Sequence, residues 1–312
     1  MGFQREKMFS FISSCLGVIF LAIATHIVTG KAIPVRAYPG ETVLFEELFE
    51  DTLWAVRGWY DDPEMKITSG EHIPGSGHSC VWHWKKAGDV VPEGKGARVL
   101  FTPVESVSLS FYIKHSADWK WTGVNWHPHE MHFMTTEDGQ FTGPAFTHLT
   151  FYVEVVGGKP RLGIQDGANI DQKRIGENLV QVTEQRAVAG GNGDSDGYGG
   201  GSYKNGDLYW NGKEWDTEKV YFSDEPGSYY KGDWHHVKAH FKLNSVVDGK
   251  GIRDGVLQYW YDGKLVMDYH DVVFCTGSHP EMKINQFLML PYFGPGVPHE
   301  QSIWIDDLQI LH

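Results

Sequence analysis

Short segments in which apolar and polar residues alternate recur along the chain after about residue 38. In residues 107–114 every second side chain is apolar, and the same alternation occurs in residues 147–155, 161–165 and 235–243. Because successive side chains of a β-strand point to opposite faces of a sheet, each segment predicts a strand with one core face and one solvated face. Helical periodicity is nearly absent, so the pattern indicates an all-β sandwich.

Two departures from this pattern mark connections between strands. Asp262-Gly263 lies between the predicted strands 256–261 and 264–269, and both residues tolerate a positive φ, which predicts a tight hairpin. Residues 187–216 are rich in Gly, Asn, Asp, Tyr and Trp. A connection of this length in a compact domain is usually functional or disordered, and its aromatic residues favour an ordered flap.

The first 37 residues have a different composition. Arg5 and Lys7 precede an apolar run at 8–28, and small residues such as Ala37 follow it. This order is typical of a secretory signal peptide, and the run is also long enough to span a bilayer uncleaved. We therefore expect a secreted, periplasmic or cell-surface protein whose folded domain is residues 38–312. The membrane is an expected partner only if the leader is retained.

The charge limits the classes of partner that we expect, and the cysteine content limits the possible disulfides. Without residues 1–37, which hold four basic side chains and one acidic one, the formal charge falls from −13 to −16. Binding to a phosphate backbone depends on clustered Lys and Arg, so we expect no nucleic-acid partner. Cys80 and Cys275 remain in the folded part, where one disulfide and two separate buried thiols are both open alternatives.

A family resemblance appears in the C-terminal part of the chain. Its motifs are Trp234-His235-His236-Val237, Leu243-Asn244, Asp254-Gly255-Val256, Trp260-Tyr261-Asp262-Gly263 and Ile303-Trp304-Ile305-Asp306-Asp307-Leu308, with residues 45–51 as a first strand. With these motifs the chain resembles the concanavalin A-like lectin/glucanase superfamily, and within it the polysaccharide-lyase-like members, including alginate and glucuronan lyases. The resemblance implies a two-sheet antiparallel jelly-roll sandwich that holds a polysaccharide across its concave sheet, without an organic cofactor.

Placing the solvated strand faces on that concave sheet gives a candidate site. In the predicted strand 129–135, Met131 and Phe133 take the core, so Glu130 and His132 are expected in the groove. Neighbouring strands and loops would add further polar and aromatic side chains, namely Tyr112, Lys114, Trp121, Trp126, His148, Tyr152, Glu154, Arg161, Gln165, Lys238 and His240.

This set of imidazole, phenol, amide and guanidinium groups suits β-elimination on a uronic-acid polymer. The reaction needs a group that neutralises the carboxylate, a base that removes the C5 proton and an acid that protonates the leaving oxygen. We expect Gln165 and Arg161 on the carboxylate, His132 as the base and Tyr152 as the acid. The remaining groove residues would bind substrate: Glu130, His148, Tyr112, Lys114, Trp121, Trp126 and Lys238.

The match to the alginate lyases of this fold is incomplete. Those enzymes place a Gln and a His two residues apart on one strand, whereas Gln165 is followed by Asp166-Gly167. Arg98 and Tyr292 could take the places of the arginine and tyrosine that the resemblance leads us to expect.

Two other functions stay open. An aromatic rim formed by Trp119, Trp121 and Trp126 would suit a non-catalytic carbohydrate-binding module or lectin, because sugars stack on such rings. Many of these rings could equally be ordinary core. Glycoside hydrolysis needs two carboxylates about 5–5.5 Å apart for retention, and Glu130 with Glu154 is the candidate pair.

Calcium is the metal that the fold resemblance implies, held between the first and last strands. Glu47 or Glu50 with Asp306 would supply oxygen ligands, and a solvated acidic edge is the alternative. Zinc is a weaker hypothesis, because His129 and His132 would point to opposite faces of a regular strand.

Overall fold

The computed structural model describes residues 40–94, 96–124, 128–135, 149–165, 212–248, 250–272, 274 and 281–312. Several predicted features lie outside these residues, namely the leader, most of residues 187–216, Trp126, His148 and Cys275. The side chain of Gln165 is also not described. Within the described part of the chain, no helix is both long and apolar enough to span a membrane.

The described residues form sixteen strands and one short 3₁₀ helix, Trp54–Arg57. The strands are β1 (Val43–Glu47), β2 (Lys66–Thr68), β3 (Ser79–Trp84), β4 (Ala97–Val104), β5 (Ser106–His115), β6 (His129–Met134), β7 (Thr150–Val156), β8 (Lys159–Gln165), β9 (Gly212–Asp216), β10 (His235–Lys242), β11 (Val246–Val247), β12 (Lys250–Gly251), β13 (Gly255–Tyr261), β14 (Lys264–Val272), β15 (Ile284–Tyr292) and β16 (Gln301–Leu311).

Two antiparallel sheets account for most of these strands. An eight-stranded sheet has the order β14-β13-β10-β5-β16-β3-β2, with β1 paired to the end of β16. A six-stranded sheet has the order β4-β15-β6-β7-β8-β9, and β11 with β12 forms a separate two-stranded hairpin. The fold is therefore the two-sheet jelly-roll sandwich that the alternation and the resemblance predicted.

The core lies between the two sheets and consists of the apolar half of each alternating segment. Phe151 of β7 and Phe241 of β10 illustrate this, because their ring centroids lie 5.0 Å apart although they belong to different sheets. Burial of one such side chain contributes about 1.5–3 kcal/mol to the free energy of unfolding. Cys80 also lies in this core as a free thiol, and burial raises its pKa.

The structure confirms the predicted hairpin and corrects the end of the predicted long loop. Asp262 and Gly263 connect β13 to β14 with positive φ angles of 47° and 76°, as the hairpin prediction requires. The end of the segment 187–216 is not a loop, because Gly212–Asp216 forms β9 at the edge of the six-stranded sheet. Trp215 supplies the apolar anchor of that edge, since it is buried in the core.

Sheet membership corrects four of the predicted groove residues. Tyr112 and Lys114 belong to β5, and Lys238 and His240 belong to β10, so all four lie on the eight-stranded sheet. Their core-facing neighbours alternate with them, which places these polar side chains on the outer face of the sandwich. There Lys114 binds Glu71 and Lys238 binds Glu41, each at 2.6 Å, and the Tyr112 ring packs on His236.

Candidate functional site

The outer face of the six-stranded sheet carries a cluster of titratable side chains. Strand pairing places His132 of β6 directly opposite Tyr152 of β7. Their ring centroids lie 5.0 Å apart, with the rings nearly perpendicular. The two residues that we predicted as base and acid are thus brought together, although their catalytic roles stay predictions.

His129 joins the same cluster, which the sequence reasoning missed. Its ring centroid lies 4.9 Å from that of Tyr152 and 6.1 Å from that of His132. Pairing between β6 and β15 is irregular here, because three residue steps from Met289 to Tyr292 oppose two steps on β6. The expectation that His129 and His132 point to opposite faces is therefore wrong, since it assumed regular alternation to the first residue of the strand.

His132 is held as a neutral imidazole. Its Nδ1 lies 3.2 Å from the carbonyl oxygen of Leu288, which can only accept, so Nδ1–H donates and Nε2 carries the lone pair. The side chain is only 2% exposed, and burial lowers its pKa to about 3. A neutral imidazole with a free lone pair is the protonation state that a base requires.

Glu154 lies beneath these rings on β7 and is the most strongly held carboxylate of the cluster. Its Oε1 lies 2.6 Å from Nδ1 of His129, and its Oε2 accepts from Nε and an Nη of Arg161 at 2.9 and 2.5 Å. Burial raises the pKa of Glu154, but Arg161 and His129 outweigh it and hold the pKa at about 2. The carboxylate is therefore ionised at every pH at which the protein is expected to function.

This ion pair corrects the role predicted for Arg161. The guanidinium is only 1% exposed, and a second carboxylate, Glu214 of β9, lies 3.3 Å from its Nη1. Arg161 is thus neutralised inside the protein and is not presented to a substrate carboxylate. Gln165 pairs with Thr150 in the same sheet, and its predicted contact with substrate stays untested because its side chain is not described.

A different guanidinium is next to the histidine–tyrosine cluster. Arg98 of β4 pairs with Leu288, which in turn pairs with His132, and the charge of Arg98 is one of the causes that lower the pKa of His132. Its Nε binds Asp61 at 2.5 Å and its Nη1 binds the side-chain oxygen of Gln286 at 2.9 Å.

Gln286 is the amide that the sequence reasoning missed. It lies on β15, and its Nε2 donates to the hydroxyl of Tyr60 at 2.5 Å. A signal for it was present, because Gln286 is a polar residue inside the otherwise largely apolar segment Ile284–Tyr292. Arg98 and Gln286 thus place a guanidinium and an amide next to His132, on the opposite side of β6 from Tyr152.

Glu130 is not in the predicted groove. It is 3% exposed, its Oε2 accepts from the backbone N–H of Val155, and its Oε1 is buried without a hydrogen-bond partner. Burial and the charge of Glu154 raise the pKa of Glu130 well above its usual range. Glu130 is therefore a buried carboxyl group and not a groove residue.

The predicted aromatic rim is in part core. Trp119 is fully buried, and Trp121 packs its ring on Trp119 and on His115 at centroid distances of 5.8 and 5.2 Å. Tyr292 is more open, at 39% exposure, and pairs with His129 across the irregular end of β15. Tyr292 is thus a second phenol beside the cluster.

The predicted calcium ligands divide into two groups. The carboxylate of Glu47 is buried and accepts from Arg57 at 2.6 Å and from the indole of Trp59 at 2.9 Å, so it is committed to an internal ion pair. Glu50 and Asp306 instead meet at Ser76, whose Oγ lies 2.9 and 3.4 Å from their oxygens. Among the described residues, no group of three or more His, Cys, Asp or Glu side chains is arranged to hold a metal ion.

Comparison with known protein families shows which family the sequence matches. The family model for polysaccharide lyases matches residues 104–309. No curated protein matches the sequence.

Solved structures resemble the chain only distantly. Alginate lyase vAL-1 from Chlorella virus is 13% identical with a TM-score of 0.47, covering 81% of this chain and 90% of that one. The endo-β-1,4-glucuronan lyase from the fungus Trichoderma reesei is 12% identical with a TM-score of 0.48, covering 86% and 95%. The marine PL-14 alginate lyase from Aplysia kurodai is 12% identical with a TM-score of 0.48, covering 86% and 98%. Similarity at this level carries no information on the substrate of this chain.

Proposed function

Since the chain belongs to the polysaccharide lyase family, we propose that it cleaves a uronic-acid-containing polysaccharide by β-elimination. One observation supports this proposal above the others: His129 and His132 flank Tyr152 on one sheet face, with Arg98 in the adjoining row. The cluster therefore offers a base, an acid and a cation, which are the three groups that the reaction needs.

The chemistry assigns one task to each group. Arg98, which the buried Gln286 amide holds in place, neutralises the substrate carboxylate and so acidifies the C5 proton. A neutral imidazole of the histidine pair removes that proton, and its electron pair forms the C4=C5 double bond as the C4–O bond breaks. Tyr152 donates its phenolic proton to the departing oxygen. Asp61, which binds Arg98, keeps the guanidinium in place.

The alternatives have less support. A lectin would be favoured by exposed aromatic rings, but Trp119 of the predicted rim is buried in the core. A hydrolase needs two carboxylates that both reach the sugar, whereas Glu154 is bound by Arg161 and Glu130 is only 3% exposed.

Export is part of the same proposal. A polymeric substrate outside the cell requires a protein outside the cell, and the basic, apolar and small residues of positions 1–37 support it. Mass spectrometry of the protein recovered from the medium of an expressing culture tests this expectation. A mature N-terminus near Tyr38 would support a cleaved leader, and retention of the intact chain in the membrane fraction would support an anchor.

The decisive experiment is a turnover assay on a panel of uronic-acid and neutral polysaccharides. We expect a rise in ultraviolet absorbance from the C4=C5 double bond on one uronate polymer and none on neutral polymers. His236→Ala is the matched control, since His236 is a partly buried histidine on the outer face of the other sheet. Removal of both imidazoles of the pair, in the double variant His129→Ala/His132→Ala, should reduce turnover by about a hundredfold or more, whereas the control should not. A flat trace on every polymer, with unchanged reducing ends, would contradict the proposal.

A further inference from the structure

The two histidines of the cluster differ in what holds their Nδ1 atoms. Nδ1 of His132 binds a neutral acceptor, the carbonyl oxygen of Leu288, at 3.2 Å. Nδ1 of His129 lies 2.6 Å from a carboxylate oxygen of Glu154. The side chain of His129 is also 19% exposed, compared with 2% for His132. Of the two imidazoles, His129 is thus the one that solvent, and by extension a polymer, can reach.

Glu154 cannot turn away from His129. Its Oε2 is bound by two nitrogens of Arg161, which leaves Oε1 directed at the imidazole. Arg161 is in turn fixed on its other side by Glu214 at 3.3 Å. Both partners of the ion pair are buried, so their positions are defined by packing as well as by charge.

This arrangement fixes the proton of the imidazole. An ionised carboxylate only accepts, so Nδ1–H of His129 must donate to Glu154, and the lone pair is on Nε2. When Nε2 takes up a proton, the imidazolium is next to a fixed negative charge that stabilises it. A carbonyl dipole, which is what His132 has, provides less stabilisation than a full charge.

We propose that Glu154 is a positioning residue that makes His129 the general base of this enzyme, with Arg161 holding Glu154 in place. The inference rests on the proposed lyase function and deepens it. It replaces the buried His132, which the sequence favoured as base, and leaves to His132 the orientation of the Tyr152 phenol that it contacts.

Two protons move in the proposed elimination. Nε2 of His129 takes the C5 proton, and the C–H electron pair forms the C4=C5 double bond. The C4–O bond breaks, and the proton of the Tyr152 hydroxyl goes to the leaving oxygen. The imidazolium then returns its proton to the tyrosinate, directly or through water, and both groups are restored.

Several other charged or titratable groups surround His129. They are His132 on the same strand, Tyr152 and Glu154 on β7, Arg161 on β8, Glu214 on β9 and Tyr292 on β15.

Glu154→Gln tests the inference, and Glu41→Gln is its matched control. Both substitutions remove a carboxylate that pairs with a buried cation, but Glu41 pairs with Lys238 on the other sheet, and only Glu154 touches His129. We expect Glu154→Gln to lower kcat at least about tenfold with KM changed by less than about threefold, and Glu41→Gln to stay near wild type. Equal kinetics in the two variants would overturn the inference.

A second measurement uses the wild-type chain and does not depend on the variant folding. Long-range ¹H–¹⁵N NMR spectra of the histidine side chains distinguish the two neutral tautomers, and His129→Gln assigns the signal. We expect His129 to be the Nδ1–H tautomer when neutral, and an Nε2–H tautomer would overturn the inference. Absence of turnover on every polymer would instead contradict the lyase function, while this measurement would still decide whether Glu154 positions His129.

Discussion

Arg161 and Glu154 occupy directly opposite positions on β8 and β7, and their side chains form a buried ion pair with two hydrogen bonds to one carboxylate oxygen. The candidate site therefore contains a charge pair whose two side chains are almost fully buried. We expect Arg161 to support the site from within instead of binding the polymer.

Arg161→Met should destabilise the fold more than it weakens substrate binding. Removal of one partner leaves Glu154 as an uncompensated buried charge, which costs about 3–5 kcal/mol. Urea unfolding measures this loss, and Arg253→Met is the control because Arg253 and its partner Asp271 are exposed. The control should change the free energy of unfolding by at most about 0.5 kcal/mol. A normally stable Arg161→Met protein with a raised KM for uronate would show that Arg161 does reach the substrate.

Tyr152→Phe should reduce kcat by about a hundredfold, because the phenolic proton is lost while the ring still packs on His129 and His132. Tyr292→Phe is the comparison, since Tyr292 is the more exposed phenol and pairs with His129. Steady-state kinetics of the two variants on the same polymer distinguish them. A larger loss in Tyr292→Phe would assign the acid to Tyr292 instead.

Arg98→Gln should affect substrates according to their charge. The guanidinium is expected to neutralise the carboxylate, so turnover of a uronate polymer should fall about a hundredfold or more. Turnover of the methyl-esterified polymer should fall much less, because its carboxyl group carries no charge. The ratio of kcat/KM on the two polymers measures this selectivity. An equal loss on both would indicate that Arg98 acts only through its bonds to Asp61 and Gln286.

Stability should fall as the pH is lowered below neutrality, in part through His115. Neither ring nitrogen of this buried histidine has a hydrogen-bond partner, and burial lowers its pKa to about 3. Between pH 6.5 and 3 the unfolded chain binds a proton that the folded chain does not, so stability present at neutral pH is lost on acidification. From pH 6.5 to 5 this one group accounts for about 2 kcal/mol.

His115→Phe tests that dependence through urea unfolding at pH 7 and pH 5. The variant should lose less stability than the wild type over this interval. His270→Gln, which changes an exposed histidine paired with Asp268, should keep the wild-type dependence. Identical pH dependence in all three proteins would show that His115 is accessible to protons in the folded state.

Ca²⁺ at the junction of Glu50 and Asp306 stays a prediction of the fold resemblance. Burial raises the pKa of Asp306 to about 6 in the absence of a cation, and a bound cation would favour the ionised form. Millimolar Ca²⁺ should therefore raise the Tm of the wild type and not that of Asp306→Asn. Mg²⁺ controls for ionic strength. Equal Tm values with and without Ca²⁺ would exclude a stabilising site of this kind at the concentration used.

Alternation along the chain was enough to predict several strands and the two chemically different faces of each. Residues 107–114 illustrate the reason. Because successive side chains alternate between the two faces of a strand, burial of one face determines which positions can be polar, whichever strand pairs with this one. The Asp262-Gly263 hairpin was likewise encoded locally, since its positive φ angles depend on the two residues alone. His132 and Tyr152 were therefore predicted on the correct faces of β6 and β7.

Which strands share a sheet, and therefore which solvated faces lie together, depends on pairing between distant segments and could not be predicted from alternation. Alternation cannot distinguish the outer face of one sheet from that of the other, so Tyr112, Lys114 and Lys238 were placed in the groove although they lie on the opposite side of the sandwich. The irregular pairing at the start of β6 brought His129 beside His132, and the pairing of β7 with β8 bound Arg161 to Glu154. Both results depend on contacts between residues distant in sequence, where burial and charge pairing outweigh the local pattern.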